Sequence, residues 1–207
     1  SKEELKEQEV ITTCLQDVTD SHNRITSIIF NMKTFLHNKT QEEREYVDLK
    51  QVIIKSINFV KPSYDKNEIK INTIFKEKDI VGLINEVKIE QVLVNLLSNA
   101  IDALADSETK NPTVTIELSK TRETNFLEIR VSDNGPGVVK QDRDEIFNSF
   151  YTTKDIGEGT GLGLSIASQI IEAHQGTISL EQTQTGASFL IQLPFIEILG
   201  YTQNEII

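Results

Sequence analysis

Between Gly157 and Leu164 the chain reads Gly-Glu-Gly-Thr-Gly-Leu-Gly-Leu, four glycines alternating with other residues, and it passes directly into the helical pattern LGLSIASQIIEAHQ. Glycine this dense is costly inside any helix or strand, so the segment is a loop whose value lies in close backbone approach. Glycines ahead of a helix N-terminus leave several backbone N–H groups in the positive end of the helix dipole, which is an anion site with phosphate as its natural occupant. The spacing is neither GxGxxG after a first strand nor GxxxxGK[ST], which disfavours the dinucleotide-binding and P-loop folds.

The rest of the chain supplies elements to build around that loop. VDLKQVIIKSINFV reads as a helix ending near Pro62, and EIKINTIF (68–75) alternates as a strand. A second helix is predicted from about Asn85 to Leu104, followed by two strands, NPTVTIELSK and NFLEIRVSDNG, around a polar turn. Gly137 to Gly161 reads as a long mobile loop, the glycine-led helix stops at Gly176, and GTISL and ASFLIQLP close the chain as strands. This pattern predicts an α+β fold, an α/β sandwich with one mixed sheet covered on one face by helices.

Upstream, Ile11, Cys14, Val18, Ile25, Ile28, Met32 and Phe35 follow the three-and-four spacing of a heptad seam, with polar Ser21 inside it and Leu15, Ile29 and Leu36 widening it. That is a bundle helix in search of partner helices. The expected organisation is 1–46 as a dimerisation helix, 47–195 as the catalytic domain and 196–207 as a tail carrying Ile196, Ile198, Leu199, Ile206 and Ile207.

Charge narrows the partners. With 21 Lys and Arg against 32 Asp and Glu the formal net charge is −11, which repels nucleic-acid backbones and anionic membrane surfaces. Cys14 has no cysteine partner, and with His22, His37 and His174 it offers no zinc spacing. No apolar run reaches the roughly 18 residues that span a bilayer, and the opening SKEELKEQE lacks a signal-peptide profile. A reducing, cytoplasmic setting fits, with a membrane anchor open to a longer protein.

Four segments carry chemistry. Asn95 and Asn99 lie four apart, so their amides share one helical face and suit a cation with its waters, or else neighbouring backbone. Asp133-Asn-Gly135-Pro-Gly137 ends a strand expected to be buried; its carboxylate can accept from an exocyclic amine such as that of adenine, although the motif alone also makes a good turn. The third segment is Phe147-Asn-Ser-Phe150-Tyr-Thr152-Thr153-Lys154, whose ammonium and hydroxyl can serve the same anion as the glycine loop, the fourth segment.

The order Asn95/Asn99, Asp133/Gly135/Gly137, Phe147/Phe150 with Thr153/Lys154, then Gly159-Thr160-Gly161-Leu162-Gly163-Leu164 resembles the N, first-glycine, F and second-glycine boxes of bacterial sensor histidine kinases, over about Val47 to Phe195. The wider superfamily, shared with DNA gyrase B, Hsp90 and MutL, folds as an α/β sandwich that binds ATP beneath a flexible lid. The resemblance implies that Asn99 ligates Mg2+, that Asn95 stands where gyrase-type ATPases place a glutamate base, and that Asp133 reads the adenine amine with support from Ser188. It also implies a lid over roughly 138–159 that closes on the triphosphate with Thr152, Thr153, Lys154 and the amides near Gly161 and Gly163. Asn95 and Lys154 become the catalytic pair. An amide cannot take a proton from water, so hydrolysis is slow while transfer to an imidazole nucleophile remains open.

In such kinases the phosphoryl group goes to a histidine on the first helix of a two-helix hairpin that dimerises, and then to a response regulator receiver domain. His22 lacks the acid and proline turn of that motif, and 47 − 22 = 25 positions separate it from Val47, too few for a helix, a turn and a second long helix. The expectation is therefore the second hairpin helix plus catalytic domain, homodimeric in the full-length protein, with the acceptor histidine outside this chain. The alternatives are a degenerate nucleotide-binding scaffold and an anti-sigma-type serine/threonine kinase.

Overall fold

A computed structural model describes residue 11 and residues 43–77, 80–121, 125–154 and 159–195 of the chain. The heptad seam from Cys14 onward, His22 and the tail fall outside the described residues. The chain divides into two units, Ser1–Gln41 and Glu42–Ile207, and the described strands and helices belong to the second.

Strand β1 (Glu45–Asp48) leads into helix α1 (Leu49–Lys66), then β2 (Lys70–Phe75), β3 (Val81–Ile84), α2 (Glu86–Ala105), β4 (Thr113–Thr121), β5 (Phe126–Asp133), α3 (Gly163–Ala173), β6 (Thr177–Leu180) and β7 (Ser188–Pro194). Five strands form a mixed sheet in the order β2-β4-β5-β7-β6, with β2 parallel to β4 and the other neighbours antiparallel. This is the expected sandwich. Period-two alternation buries Val114, Ile116 and Leu118 of β4, Leu127, Ile129 and Val131 of β5, and Phe189, Ile191 and Leu193 of β7. They form one core with Val92, Leu93, Leu96 and Leu97 of α2, Ile166, Ile170 and Ile171 of α3, and Leu49, Val52 and Ile53 of α1. Each such side chain contributes about 1.5–3 kcal/mol of burial. The opposite face of the sheet stays polar: Arg130 bridges Glu181 at 2.7 Å and Glu117 at 3.1 Å.

Three boundaries differ from expectation. A second sheet, β1 antiparallel to β3, was not expected from four-residue segments too short to show alternation. Asp48 ends β1 and also caps α1, its Oδ1 accepting from Lys50 N–H at 2.9 Å, so strand and helix abut without a loop. Helix α1 does not stop near Pro62 but runs through it to Lys66. Proline removes the bond to the Asn58 carbonyl, and Asn58 is exposed, so the lost bond falls on the solvent side of the helix. Helix α3 ends in a Schellman arrangement in which Gln175, not Gly176, takes the left-handed conformation (φ 61°). Gln175 N–H bonds Glu172 O at 2.8 Å and Gly176 N–H bonds Ile171 O at 2.9 Å.

His174, 3% exposed, ties this end of α3 to the start of α2. Its Nδ1–H donates to Ile170 O at 2.7 Å and its Nε2 accepts from Asn85 N–H at 3.0 Å, which specifies the neutral Nδ1–H tautomer.

Candidate functional site

Helix α2 is the backbone of the site. Asn85 caps it, its Oδ1 accepting from Lys88 N–H at 3.0 Å, and the apolar stripe of the helix is buried on the sheet. One other face carries Asn95, Asn99 and Asp102 at the helical spacing of four and three. Asn95 is 9% exposed, and its Nδ2 donates to the carbonyl of Gly163, the first residue of α3, at 3.1 Å. The asparagine face is thereby tied to the helix N-terminus behind the glycine loop. Asn99, one turn further on, is half-buried.

The start of α3 behaves as its glycines predict. Leu162 occupies the N-cap position and makes no side-chain cap, so among the described residues no side chain accepts from the first-turn N–H groups of Gly163, Leu164 and Ser165. Thr160 Oγ1 accepts from Leu162 N–H, and Ser165 Oγ points back to Leu162 O at 3.0 Å. Gly161 needs to be glycine: its φ is +63°, and a Cβ there would run into the backbone of Phe150, whose N–H bonds Gly161 O at 2.8 Å. That bond joins the aromatic segment to the glycine loop. Phe147 packs edge-on against Phe189 with centroids 6.3 Å apart, whereas Phe150 is 73% exposed.

Asp133 closes β5. Its Oδ1 accepts from Gly135 N–H at 2.9 Å and from Ala187 N–H at 3.2 Å, leaving Oδ2 to accept from a ligand. Burial pushes this carboxyl above the ordinary aspartate range, and the two backbone bonds oppose that in part. Asn134 is structural: its Oδ1 takes Thr113 N–H at 2.8 Å and its backbone N–H donates to Thr113 O. Gly135 lies against Leu104 near the end of α2, so the same helix that carries the asparagines backs the aspartate loop. Gly137 approaches Gly186, where a Cβ on Gly137 would stand 2.6 Å from the Gly186 carbonyl oxygen.

The expected support of Asp133 by Ser188 is corrected. Ser188 pairs in register with Ser132, its hydroxyl lying 2.9 Å from Ser132 Oγ and donating to Glu181 at 2.8 Å. Successive side chains alternate across a sheet, so Ser188 and Ser132 share the polar face while Asp133 points to the other. The backbone N–H of Ala187 provides the support instead, a contact that side-chain motifs do not reveal.

Thr152 and Thr153 are exposed; Thr152 Oγ1 accepts from Lys154 N–H at 3.2 Å. Lys154 Nζ donates to Asp102 on α2. Asp102 was missed at the sequence level, although its position seven residues after Asn95 put it on the asparagine face. Among the described residues no cluster of three His, Cys, Asp or Glu side chains could hold a metal, and no helix is long and apolar enough to cross a membrane.

Residues 84–197 match the family of histidine kinase-, DNA gyrase B- and HSP90-like ATPases. The chain is 33% identical over 178 residues to the sensor histidine kinase ZraS of Salmonella typhi, covering 86% of this chain and 36% of that protein. It is 38% identical over 109 residues to the C4-dicarboxylate transport sensor protein DctB of Rhizobium meliloti, covering 53% and 17%. The chain thus spans well under half the length of these curated relatives. Among solved structures, the nucleotide-free catalytic domain of histidine kinase ThkA superimposes with a TM-score of 0.65 at 29% identity, covering 73% of this chain and 95% of that one. ThkA in complex with the response regulator protein TrrA gives 0.67 at 25% identity, covering 84% and 49%.

Proposed function

Because this chain belongs to the histidine kinase-, DNA gyrase B- and HSP90-like ATPase family, we propose that residues 47–195 bind magnesium-ATP and transfer its γ-phosphoryl group to a histidine outside this chain, for relay to a response regulator. ATP is the ligand of this domain class, and the relatives are two-component sensor kinases. The observation that carries the assignment within the site is the uncapped N-terminus of α3 tethered to the asparagine face of α2.

Asp133 Oδ2 is the free acceptor for the exocyclic amine of adenine, with Oδ1 held by Gly135 and Ala187. The N–H groups of Gly163, Leu164 and Ser165, together with Lys154, face phosphate oxygens. The donor set also fits Mg2+. Asn95 spends its amide N–H2 on Gly163 and keeps Oδ1, and Asn99 adds a second carboxamide oxygen. A hard cation takes such oxygens and completes its shell with water and phosphate. Asn99 is the proposed ligand, with Asn95 beside it.

Asn95 also explains the direction of the chemistry. An amide has no basic lone pair with which to deprotonate water, so attack by water is unassisted. An imidazole nitrogen needs no such base: it forms the P–N bond as the γ-phosphorus separates from the ADP oxygen. The 1–46 segment as a homodimerising bundle helix, and 196–207 as a separate tail, complete the proposal.

The test is titration calorimetry with a non-hydrolysable ATP analogue, with and without Mg2+, followed by phosphoryl transfer from radiolabelled ATP to a supplied acceptor-helix hairpin. Magnesium-dependent binding with label on the acceptor histidine is expected. Binding without transfer to any histidine would leave a nucleotide-binding scaffold, and incorporation of label into this chain that His22→Ala abolishes would move the acceptor into this polypeptide.

A further inference from the structure

Asp102 is an acid beside a site built for anions. It follows Asn95 and Asn99 on the same face of α2, and its side chain is 48% exposed. An uncompensated carboxylate there would repel a polyphosphate. Asp102 is compensated, because its Oδ2 accepts from Lys154 Nζ.

The lysine is held at its backbone, along part of its stem and at its tip. Its backbone N–H bonds Thr152 Oγ1 at 3.2 Å. Its stem lies against Gly159, where a Cβ would come within 3.3 Å of Lys154 Cβ and 3.4 Å of Cδ. Its tip is fixed by Asp102. An ammonium carries three N–H donors, so one can serve the carboxylate while two remain for phosphate oxygens. A lysine otherwise spreads over many rotamers on a four-carbon stem, and ordering it at the moment of binding costs affinity.

We propose that Asp102 is a positioning residue for the phosphate site: it presets Lys154 Nζ on the face of α2 that carries Asn95 and Asn99, and Lys154 in turn screens the Asp102 charge from the nucleotide. The inference rests on reading residues 47–195 as a nucleotide site. Its consequence is a reversal of sign. With Lys154 present, Asp102 helps the nucleotide bind. With Lys154 absent, the same carboxylate hinders it.

The experiment measures Kd for a non-hydrolysable ATP analogue with Mg2+ at low ionic strength, on the wild type, Asp102→Asn, Lys154→Met and the double variant. Asp102→Asn is expected to weaken binding roughly 3- to 10-fold in the wild-type background and to tighten it roughly 2- to 5-fold in the Lys154→Met background, the non-additivity expected of a coupled pair. Asp102→Glu should recover most of the wild-type affinity. A second readout needs no nucleotide: acetylation of Lys154 by acetic anhydride, followed by mass spectrometry, should be faster in Asp102→Asn than in the wild type. Tightening in both backgrounds would mean that Asp102 competes with the nucleotide for the lysine, and an equal loss in both would mean a merely structural bridge. Either result overturns the proposal, as does unchanged acetylation. A wild-type chain that binds no analogue sinks the nucleotide reading itself, whereas wild-type binding without the sign reversal sinks this inference alone.

Discussion

Replacing Asp133 by asparagine separates recognition from folding. Asparagine keeps an oxygen for the N–H groups of Gly135 and Ala187, which Asp133 Oδ1 accepts at 2.9 and 3.2 Å. The fold should hold, with a stability change within about 1 kcal/mol, the scale of one neutral hydrogen bond. At the other position an N–H2 donor replaces the free carboxylate oxygen and meets the adenine amine, also a donor. Losing a hydrogen bond to a charged group costs about 1.5–3 kcal/mol, so Kd for the ATP analogue should rise roughly 10- to 150-fold. A guanine nucleotide presents a carbonyl where adenine has its amine, so the variant should also lose most of its preference for ATP over GTP. The pH dependence has a definite direction. Burial raises the Asp133 pKa above its ordinary value, so the folded protein binds this proton more tightly than the unfolded chain. If Asp133 is the adenine acceptor proposed above, adenine binding needs the ionised carboxylate and should be complete above that raised pKa and fall as pH drops through it. The folding contribution runs the other way: Asp133 favours the native state more as pH falls toward the unfolded value. Calorimetric Kd across pH on both proteins, with thermal melts in parallel, checks each part. Unchanged affinity in Asp133→Asn, or the same acid-side loss of adenine affinity in both proteins, would refute the reasoning; a collapse in melting temperature would show that the carboxylate is structural.

Gly186→Ala should destabilise the domain by about 2 kcal/mol or more, because its φ is +69° and a Cβ there collides with the Asp133 backbone; urea unfolding measures it, and a loss under about 0.5 kcal/mol would contradict the geometry. His174→Ala should cost about 2–4 kcal/mol by removing both ring bonds and leaving the Asn85 N–H without its acceptor; a denaturation midpoint equal to that of wild type would argue against the bridge. Chelating Mg2+ should raise Kd for the ATP analogue at least roughly tenfold if carboxamide and phosphate oxygens share the ion, and equal affinities with and without chelator would remove Asn99 as a ligand.

Much of the candidate site's layout was readable before folding because its signals are local. Glycines before a helix, amides four apart and an aspartate after an alternating strand each express a short-range rule of backbone geometry. The long helices and the three central strands β4, β5 and β7 were legible for the same reason, since their periodicities persist over many residues. What tertiary structure alone decided are contacts between segments far apart in sequence. Strands β1 and β3, four residues each, exist because they pair with one another. Pro62 sits inside α1 at a point where Asn58, the residue whose carbonyl loses its partner, is exposed. Register assigned the support of Asp133 to the Ala187 N–H and sent Ser188 to the polar face with Ser132 and Glu181. The pairing of Lys154 with Asp102 spans 52 positions of chain. Local rules specify which groups a segment can offer, and packing decides which of them meet, because side-chain direction across a sheet is set by register and the approach of two helices by the core between them.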